Sequence, residues 1–290
     1  MTKRKIIKTS ALTLVGLIVL IFGVIYGWST IFLNKSYSIP LSEITVPRDT
    51  ASIAEGERLV HIAHCGDCHN EHLTGGVFDN IPKNVATLVA PNLTQKIPIY
   101  TNAEIVRLLR YGVKKNGHSV LIMPAFMYHE LKAESIGKII AYLRTLQKQP
   151  TTPNVPSSSS FTFLGRLLIV KGEVNRIADL IAPNTEGKYV HCDTTGVSFG
   201  RYLAVSTCTA CHGPDFKGET GFSPDLVIAA SYGKSDFFKL IRTGVALGDR
   251  KDIGLMSHVA KKYLCRLNDH EIESIYAFLQ TRPTQSEFKK

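Results

Sequence analysis

The chain has 290 residues, which is long for one small domain and suits two domains with additional segments. Its hydrophobic content of 44% is ordinary for a globular protein, so each half can bury a core. The net charge of +10 favours acidic partners or anionic surfaces. Because the soluble part has no basic cluster interleaved with aromatic residues, nucleic acid is not expected as a partner.

The first predicted element is an uncharged run from Ala11 to Leu33. As a helix this run is roughly 35 Å long, enough to cross the hydrocarbon core of a bilayer. Tyr26 and Trp28 lie near its far end, where amphipathic rings prefer the membrane interface. The basic segment 1–10 is expected to stay in the cytoplasm, which predicts a single-pass membrane anchor over residues 11–33 and places the remainder outside the cytoplasmic membrane.

A cleaved signal peptide is the alternative interpretation of this segment. Signal peptides have a shorter apolar region and a small-x-small cleavage site, whereas this run is long and no Ala-x-Ala follows it. Both interpretations export the rest of the chain.

The sequence after this segment repeats itself. The matching segments are 56–59 with 200–203, 65–69 with 208–212, 91–93 with 224–226, 100–112 with 232–244, and 136–143 with 272–279. So many matches in the same order indicate duplication of one domain, and we assign the copies to residues 47–149 and 190–290. Apolar residues recur with helical spacing in both copies and no run alternates with period two, which predicts an all-α fold with little or no sheet.

Helix boundaries are marked by local signals. Thr101 followed by Glu104 is a capping box, and Gly112 suits the position after the last helical residue. Asn268 followed by Glu271 begins the last helix in the same way. The equivalent position in the first copy is Lys132, which is a poor cap.

Residues 150–189 connect the two copies. They begin with a proline- and serine-rich stretch that is typical of an extended linker. Phe161 to Ala182 is apolar and is predicted to be helical, and we expect it to pack between the two domains.

Each copy carries a Cys-x-x-Cys-His motif. The residues are Cys65, Cys68 and His69 in the first copy and Cys208, Cys211 and His212 in the second. Two thiols at this spacing reach the two vinyl groups on one side of a porphyrin, and the histidine then lies under the iron. A zinc ribbon would place two Cys-x-x-Cys pairs about 15–20 residues apart, and a thioredoxin-type motif would follow a strand. Neither pattern is present, so we predict two covalently attached haem c groups with His69 and His212 as axial ligands.

Met123 and Met256 are the candidates for the second axial ligand. They occupy equivalent positions just before the terminal helix of each copy, and methionine is a usual ligand in electron carriers. Methionine is also a common core residue, which is the alternative. Met127 and His129 are the substitutes for the first iron, and His258 is the substitute for the second. The remaining histidines are expected to be surface or structural residues: His61, His64, His72, His118, His191 and His270.

The order of these motifs resembles class I cytochrome c over about residues 50–149 and 190–283. The tandem arrangement after an exported N-terminus resembles membrane-associated dihaem cytochromes that serve bacterial dehydrogenases and respiratory chains. The resemblance implies that the carbonyls of Pro91 and Pro224 accept hydrogen bonds from the proximal histidines, which fixes their rings. It also implies that the first and last helices of each domain cross.

The sequence departs from this family at several places. Tyr100 and Tyr232 stand where relatives often have tryptophan, and Met256 is followed by Ser257, where relatives have the proline that Pro124 supplies in the first copy. These departures concern the detailed geometry of the second site more than that of the first.

Two further assignments depend on the family fold. Arg110 and Arg242 are candidates for neutralising haem propionates, with a solvated arginine at a helix end as the alternative. Cys192 and Cys265 flank the first and last helices of the second domain. In an oxidising compartment we expect them to form a disulfide, and the alternatives are a haem ligand or a free thiol.

Together these features predict an electron carrier with no catalytic residues of its own. Electrons would pass from a dehydrogenase or a quinol-oxidising complex, through both haems, to a soluble cytochrome or an oxidase. One alternative is a dihaem enzyme similar to a peroxidase or a thiosulfate dehydrogenase, which needs an open iron position or a cysteine ligand. The other is a binding module, either a gas sensor or the docking subunit of a larger complex.

Overall fold

The computed structural model describes residues 3–282. Met1, Thr2 and residues 283–290, which belong to the ends of the predicted segments 1–10 and 190–290, lie outside the described residues. The first helix, α1 (Lys3–Leu33), begins before the predicted run. The part of α1 from Ile7 to Leu33 has a mean hydropathy of 2.3 and is long and apolar enough to cross a membrane. Only 6% of its most apolar stretch is buried inside the protein.

The first copy folds into helices joined by loops and short strands. Its helices are α2 (Thr50–Ile62), α3 (Cys65–His69), α4 (Leu93–Lys96), α5 (Asn102–Tyr111), α6 (Ala125–Tyr128) and α7 (Ala133–Thr145). Its strands are β1 (Gly76–Val77), β2 (Ala86–Thr87) and β3 (Val89–Ala90). β1 pairs antiparallel with β3, with Gly76 opposite Ala90. The predicted scarcity of sheet is confirmed.

The residues at the ends of α5 form the predicted capping bonds, whereas the start of α7 lacks one. The Thr101 hydroxyl accepts a hydrogen bond from Glu104 N at 3.1 Å, and the Glu104 carboxylate accepts one from Thr101 N at 2.8 Å. Gly112 ends α5 at φ 65°, a left-handed conformation that glycine adopts without strain. Lys132 stands at the start of α7 and makes no side-chain capping bond.

The connecting segment packs on the first domain and on α1. Strand β4 (Ser160–Phe161) pairs antiparallel with β2, and α8 (Phe163–Val170) follows directly. Phe163 stacks on Phe22 of α1 with ring centroids 4.7 Å apart. An added Cβ on Gly165 would lie 2.2 Å from the Val85 carbonyl oxygen, so α8 lies close against the first domain. The expectation that Phe161 to Ala182 packs between the domains is therefore wrong, because this segment docks on α1 and on one side of the first domain.

The second copy contains α9 (Gly196–His212), α10 (Lys234–Thr243), α11 (Leu255–Lys262) and α12 (Asp269–Gln280). The predicted capping box of α12 is formed between Asn268 and Glu271. The helix that carries the attachment motif differs between the copies. In the second copy α9 continues unbroken through the motif, whereas in the first copy the helix is broken between α2 and α3 at His64, which has φ 57°.

The first and last helices of each domain cross at an equivalent glycine. A Cβ on Gly56 of α2 would lie 1.9 Å from the Lys138 carbonyl oxygen of α7. A Cβ on Gly200 of α9 would lie 1.8 Å from the Ser274 carbonyl oxygen of α12. Since no side chain fits at these distances, glycine sets how closely each helix pair approaches.

The two domains share one hydrophobic core, and equivalent positions of the two repeats make contacts across the domain interface. Arg58 of α2 forms a two-point ion pair with Glu271 of the second domain, with N–O distances of 2.7 and 2.8 Å. At the position of α9 equivalent to Arg58, the Tyr202 hydroxyl accepts a hydrogen bond from Lys132 N of the first domain at 3.4 Å. Each domain's first helix therefore contacts the start of the other domain's last helix.

Candidate haem-attachment sites

The helical backbone places the three motif residues of each copy together. In α3 and at the end of α9 the two cysteines are three residues apart, which puts them on one helix face. Cys65, Cys68, Cys208 and Cys211 are partly buried, and no disulfide joins any of them. Burial raises the pKa of Cys65 to about 12 and that of Cys208 to about 11. Each motif therefore holds its thiols at the edge of an apolar interior, with the histidine next in sequence.

Both motif histidines are oriented by a proline carbonyl. His69 Nδ1 lies 2.8 Å from the Pro91 carbonyl oxygen, and His212 Nδ1 lies 2.9 Å from that of Pro224. A carbonyl can only accept, so Nδ1 carries the proton and Nε2 keeps its lone pair. Burial lowers the pKa of both histidines, which favours the neutral imidazole that binds metals.

The chain makes the same turn after both histidines. His69 is followed by residues with positive φ at Asn70, Leu73 and Gly75, and His212 is followed by them at Gly213, Phe216 and Gly218. Gly75 N donates to the His69 carbonyl at 2.8 Å, and Gly218 N donates to the His212 carbonyl at 2.9 Å. This turn brings each proline back to its imidazole. This turn was not predicted, although a glycine stands six residues after the histidine in both repeats.

The candidate methionines differ in their surroundings. Met123 and Met256 are partly buried against the shared core, whereas Met127 is 1% exposed within it. The Ser257 hydroxyl next to Met256 donates to the Gly244 carbonyl oxygen at 2.7 Å. In the second site this hydrogen bond holds the chain after the methionine, where the first site has the rigid ring of Pro124.

Of the two histidines predicted as substitute ligands, His129 is buried in a hydrogen bond and His258 is exposed on the surface. His129 is buried, and its Nδ1 lies 3.0 Å from the Arg110 carbonyl oxygen. His258 is exposed, with its ring 6.3 Å from that of Tyr263.

The two candidate propionate arginines bind backbone carbonyls. The Arg110 guanidinium is buried and donates to the His129 carbonyl oxygen at 3.3 Å. The Arg242 guanidinium donates to the carbonyls of Cys265 and Leu267 and to the Asp269 carboxylate. Both arginines thereby tie α5 and α10 to the segment before the last helix of their domain. Their role toward propionates stays a prediction.

The disulfide expected between Cys192 and Cys265 is not formed in the structure, where both are free thiols. The Cys265 thiol donates to the Lys261 carbonyl oxygen at 3.1 Å. The Cys192 carbonyl accepts from Lys132 Nζ of the first domain at 2.7 Å. The two cysteines are thus held by different neighbours, which sequence proximity to the crossing helices did not reveal.

The two attachment motifs approach each other at the domain interface. The Tyr263 hydroxyl of the second domain donates to the carboxylate of Asp67, which lies between Cys65 and Cys68. The ring of His64 lies 4.7 Å from the Tyr263 ring, which is 1% exposed. Burial raises the pKa of the Cys211 thiol, and the nearby Asp67 carboxylate raises it further. One motif is therefore within electrostatic reach of the other.

The residues present fit a covalently held haem in each domain. Each site offers two thiols on one face and an imidazole with a fixed Nδ1 hydrogen bond and an available Nε2. Ligation by Met123 and Met256 stays a prediction. Within residues 3–282 neither Nε2 of His69 nor that of His212 makes a hydrogen bond. This donor set suits iron in a porphyrin and does not form a protein-only metal cluster, of which the described residues contain none.

Comparison with known families agrees with this chemistry. The family of cytochrome c oxidase, cbb3-type, subunit III matches residues 51–143, and the cytochrome c family matches residues 197–283. The chain belongs to the c-type cytochromes: it is a dihaem protein with two cytochrome c domains in tandem and two covalently bound haem c groups. The predictions of class, fold and cofactor are confirmed.

A curated relative narrows the description. The chain is 26% identical over 268 residues to the fructose dehydrogenase cytochrome subunit of Gluconobacter japonicus, and the match covers 81% of this chain and 54% of the relative. The chain thus spans about half the length of the relative that it matches. Its two domains and this similarity make it an electron-transfer cytochrome.

Proposed function

We propose that this chain is a membrane-anchored electron carrier on the periplasmic side of the bacterial inner membrane, receiving electrons from a dehydrogenase and passing them to a respiratory acceptor. Haem c supplies reversible one-electron iron chemistry. The observation that carries the proposal is the repeated pairing of a neutral imidazole with a proline carbonyl, once in each of the two domains. We take the functional units to be residues 1–10, 11–33, 47–149, 150–189 and 190–290.

His69 with Met123, and His212 with Met256, are the proposed axial ligands. Pro91 and Pro224 hold the imidazole rings so that Nε2 stays unprotonated and aimed at one position. A methionine thioether would stabilise ferrous iron and raise the reduction potential. An iron held by both a histidine and a methionine would have no open position for a substrate, which favours a carrier over a peroxidase or a thiosulfate-oxidising enzyme.

The domain interface supports direct transfer between the haems. The contact of Tyr263 with Asp67 and the ion pair of Arg58 with Glu271 hold the second domain against the first attachment motif and the helix before it. Electrons can then cross between the domains without a domain movement.

The packing of α1 supports an uncleaved anchor. Ile25 is 6% exposed and Ser29 is 0% exposed, because α8 covers this side of α1. Arg166 of α8 donates to the Ser29 hydroxyl at 2.8 Å. A signal peptide that leaves the protein would not be part of the folded interior. The basic residues at the start of α1 favour a cytoplasmic N-terminus.

A second set of contacts holds the chain just after the anchor. Asp179 accepts hydrogen bonds from Lys35, Tyr37 and Arg176 at 2.7–2.9 Å. Burial alone would raise the pKa of Asp179, but these three donors outweigh it and lower that pKa to about 2. The carboxylate is therefore charged at neutral pH and ties the linker to residues 35–37.

Carbon monoxide binding to the reduced protein tests the closed coordination. We expect none at neutral pH in the natural protein, and one binding site per chain in Met123→Ala and in Met256→Ala. Met127→Leu is the matched control, because Met127 is a buried core residue and its replacement should leave both irons closed. Carbon monoxide binding to the unaltered protein would favour a sensor or an enzyme.

Extraction in a mild detergent tests the proposed partner. We expect a dehydrogenase to co-purify with the cytochrome and to reduce both haems when its substrate is added. The net charge of +10 favours an acidic docking face on that partner, so the reduction rate should fall as salt rises. A complex with no dehydrogenase would contradict the donor assignment and leave the ligand assignment intact.

A further inference from the structure

Helix α8 lies along the outer part of α1. The Phe163 ring stacks on Phe22 at 4.7 Å, and the Arg166 guanidinium lies 4.6 Å from the centre of the Tyr26 ring. Arg166 also donates to the Ser29 and Thr30 hydroxyls, at 2.8 and 3.2 Å. The start of α8 is thus beside residue 22 of the apolar helix, and its middle is beside residues 26–30.

These contacts set the depth of α8 relative to a bilayer spanned by α1. Tyr26 is an interfacial residue type near the polar end of α1, and Phe22 precedes it by one helical turn, so Phe22 lies about 6 Å deeper in the hydrocarbon. Phe163, stacked on Phe22, lies at that depth. Arg166 lies at the level of the hydroxyl groups, where a guanidinium reaches water and headgroups.

The composition of α8 suits this position. The helix reads Phe-Leu-Gly-Arg-Leu-Leu-Ile-Val, with one charged residue. Gly165 and Ile169 are buried, whereas Phe163 and Leu164 are 37% and 39% exposed. The exposed face is apolar and continues the apolar surface of α1, on which Phe22 is 45% exposed.

We propose that α8 is an interfacial membrane helix, whose Phe163 and Leu164 side chains insert among the acyl chains of the outer leaflet of the bilayer that α1 spans. The occupant of this apolar face is phospholipid, because the face is continuous with that of the anchor and lies at acyl depth. Since interfacial helices bury their apolar face about 5–10 Å below the headgroup boundary, the depth of Phe163 agrees with this role. This inference rests on the proposed anchor.

The consequence is that the first haem domain is attached to the membrane at two points. α8 is held by the pairing of β4 with β2 and by the contact of Gly165 with Val85. With α1 and α8 both in the bilayer, the domain cannot swivel about a single helix, so its haem keeps one orientation toward a membrane-bound donor.

The experiment uses the full-length, haem-loaded protein in nanodiscs of phosphatidylethanolamine and phosphatidylglycerol. A benzophenone amino acid replaces Phe163 or Leu164 in separate variants, and phospholipid adducts are measured by intact mass after illumination. The same group at Val19, 65% exposed on α1, is the positive control. The same group at Phe222, 53% exposed on the second domain, is the negative control.

We expect adduct yields at positions 163 and 164 to approach that at 19 and to exceed that at 222 by about tenfold, because a side chain outside the bilayer does not reach acyl chains. Adducts at 19 with none at 163 and 164 would overturn the interfacial helix and leave the anchor intact. No adducts at 19 would refute the anchor and this inference with it. The Leu164 variant keeps the stacking of Phe163 on Phe22, so a packing defect at 163 cannot explain both results.

Discussion

Replacing Gly56 with alanine tests the close helix crossing that supports the first attachment motif. The added methyl group would lie 1.9 Å from the Lys138 carbonyl oxygen, whereas ordinary contact begins at 3.4 Å, so α2 and α7 must separate by about 1.5 Å. Because the methyl group meets backbone atoms, the upper end of the usual overpacking cost applies, about 3 kcal/mol, and alanine recovers about 1 kcal/mol of helix propensity. We expect the Gly56→Ala protein to lose about 2 kcal/mol of its free energy of unfolding.

The assay is thermal unfolding of the haem-loaded protein, followed by circular dichroism of the helices. A loss of about 2 kcal/mol lowers the midpoint of a domain of this size by about 8–16 °C. Gly66→Ala is the matched control, because its methyl group would meet atoms at 3.8 and 4.0 Å, which is ordinary contact. Gly66→Ala should unfold with nearly the same midpoint temperature as the unaltered protein. An unchanged midpoint in Gly56→Ala would refute the crossing geometry.

Three further predictions concern the contacts between elements. Tyr263→Phe removes the hydrogen bond to Asp67, and we expect amide hydrogen exchange at both motif segments to become about tenfold faster while the haem content stays the same. Unchanged exchange rates would show that this bond does not hold the interface. Arg58→Ala removes the ion-pair partner of the buried Glu271 carboxylate, which keeps its capping bond from Asn268 N. This should cost about 2–3 kcal/mol of the free energy of unfolding in urea, against less than about 0.5 kcal/mol when an exposed lysine is replaced by alanine. The lowered pKa of Asp179 stabilises the folded protein above pH 4, and this contribution is lost as the pH falls from about 4 to about 2. Asp179→Asn should therefore remove that part of the acid sensitivity, as measured by proteolysis of the linker.

Much of each domain follows from local sequence signals. The capping boxes at Thr101 and Asn268 and the glycine at 112 predict their helix ends, because these residues satisfy backbone groups within a few positions. The duplication identified both domains. The sequence did not reveal that α9 continues through its motif whereas the first copy breaks at His64, because the difference lies in one backbone conformation.

Contacts between distant segments escaped prediction. The linker helix was expected between the domains but lies on α1, since an apolar pattern does not say which surface it covers. The disulfide between Cys192 and Cys265 was inferred from helix ends that cross, yet no bond joins the two thiols. The contact of Tyr263 with Asp67 joins residues of both domains, and no repeat or motif marks it.

The most direct test of the proposed site is the methionine–iron charge-transfer absorption of the oxidised protein, measured per haem. We expect two such centres per chain, one after Met123→Ala or Met256→Ala, and two after the control Met127→Leu. A natural protein with two covalent haems and no such absorption would contradict the ligation by histidine and methionine on which the electron-carrier assignment rests.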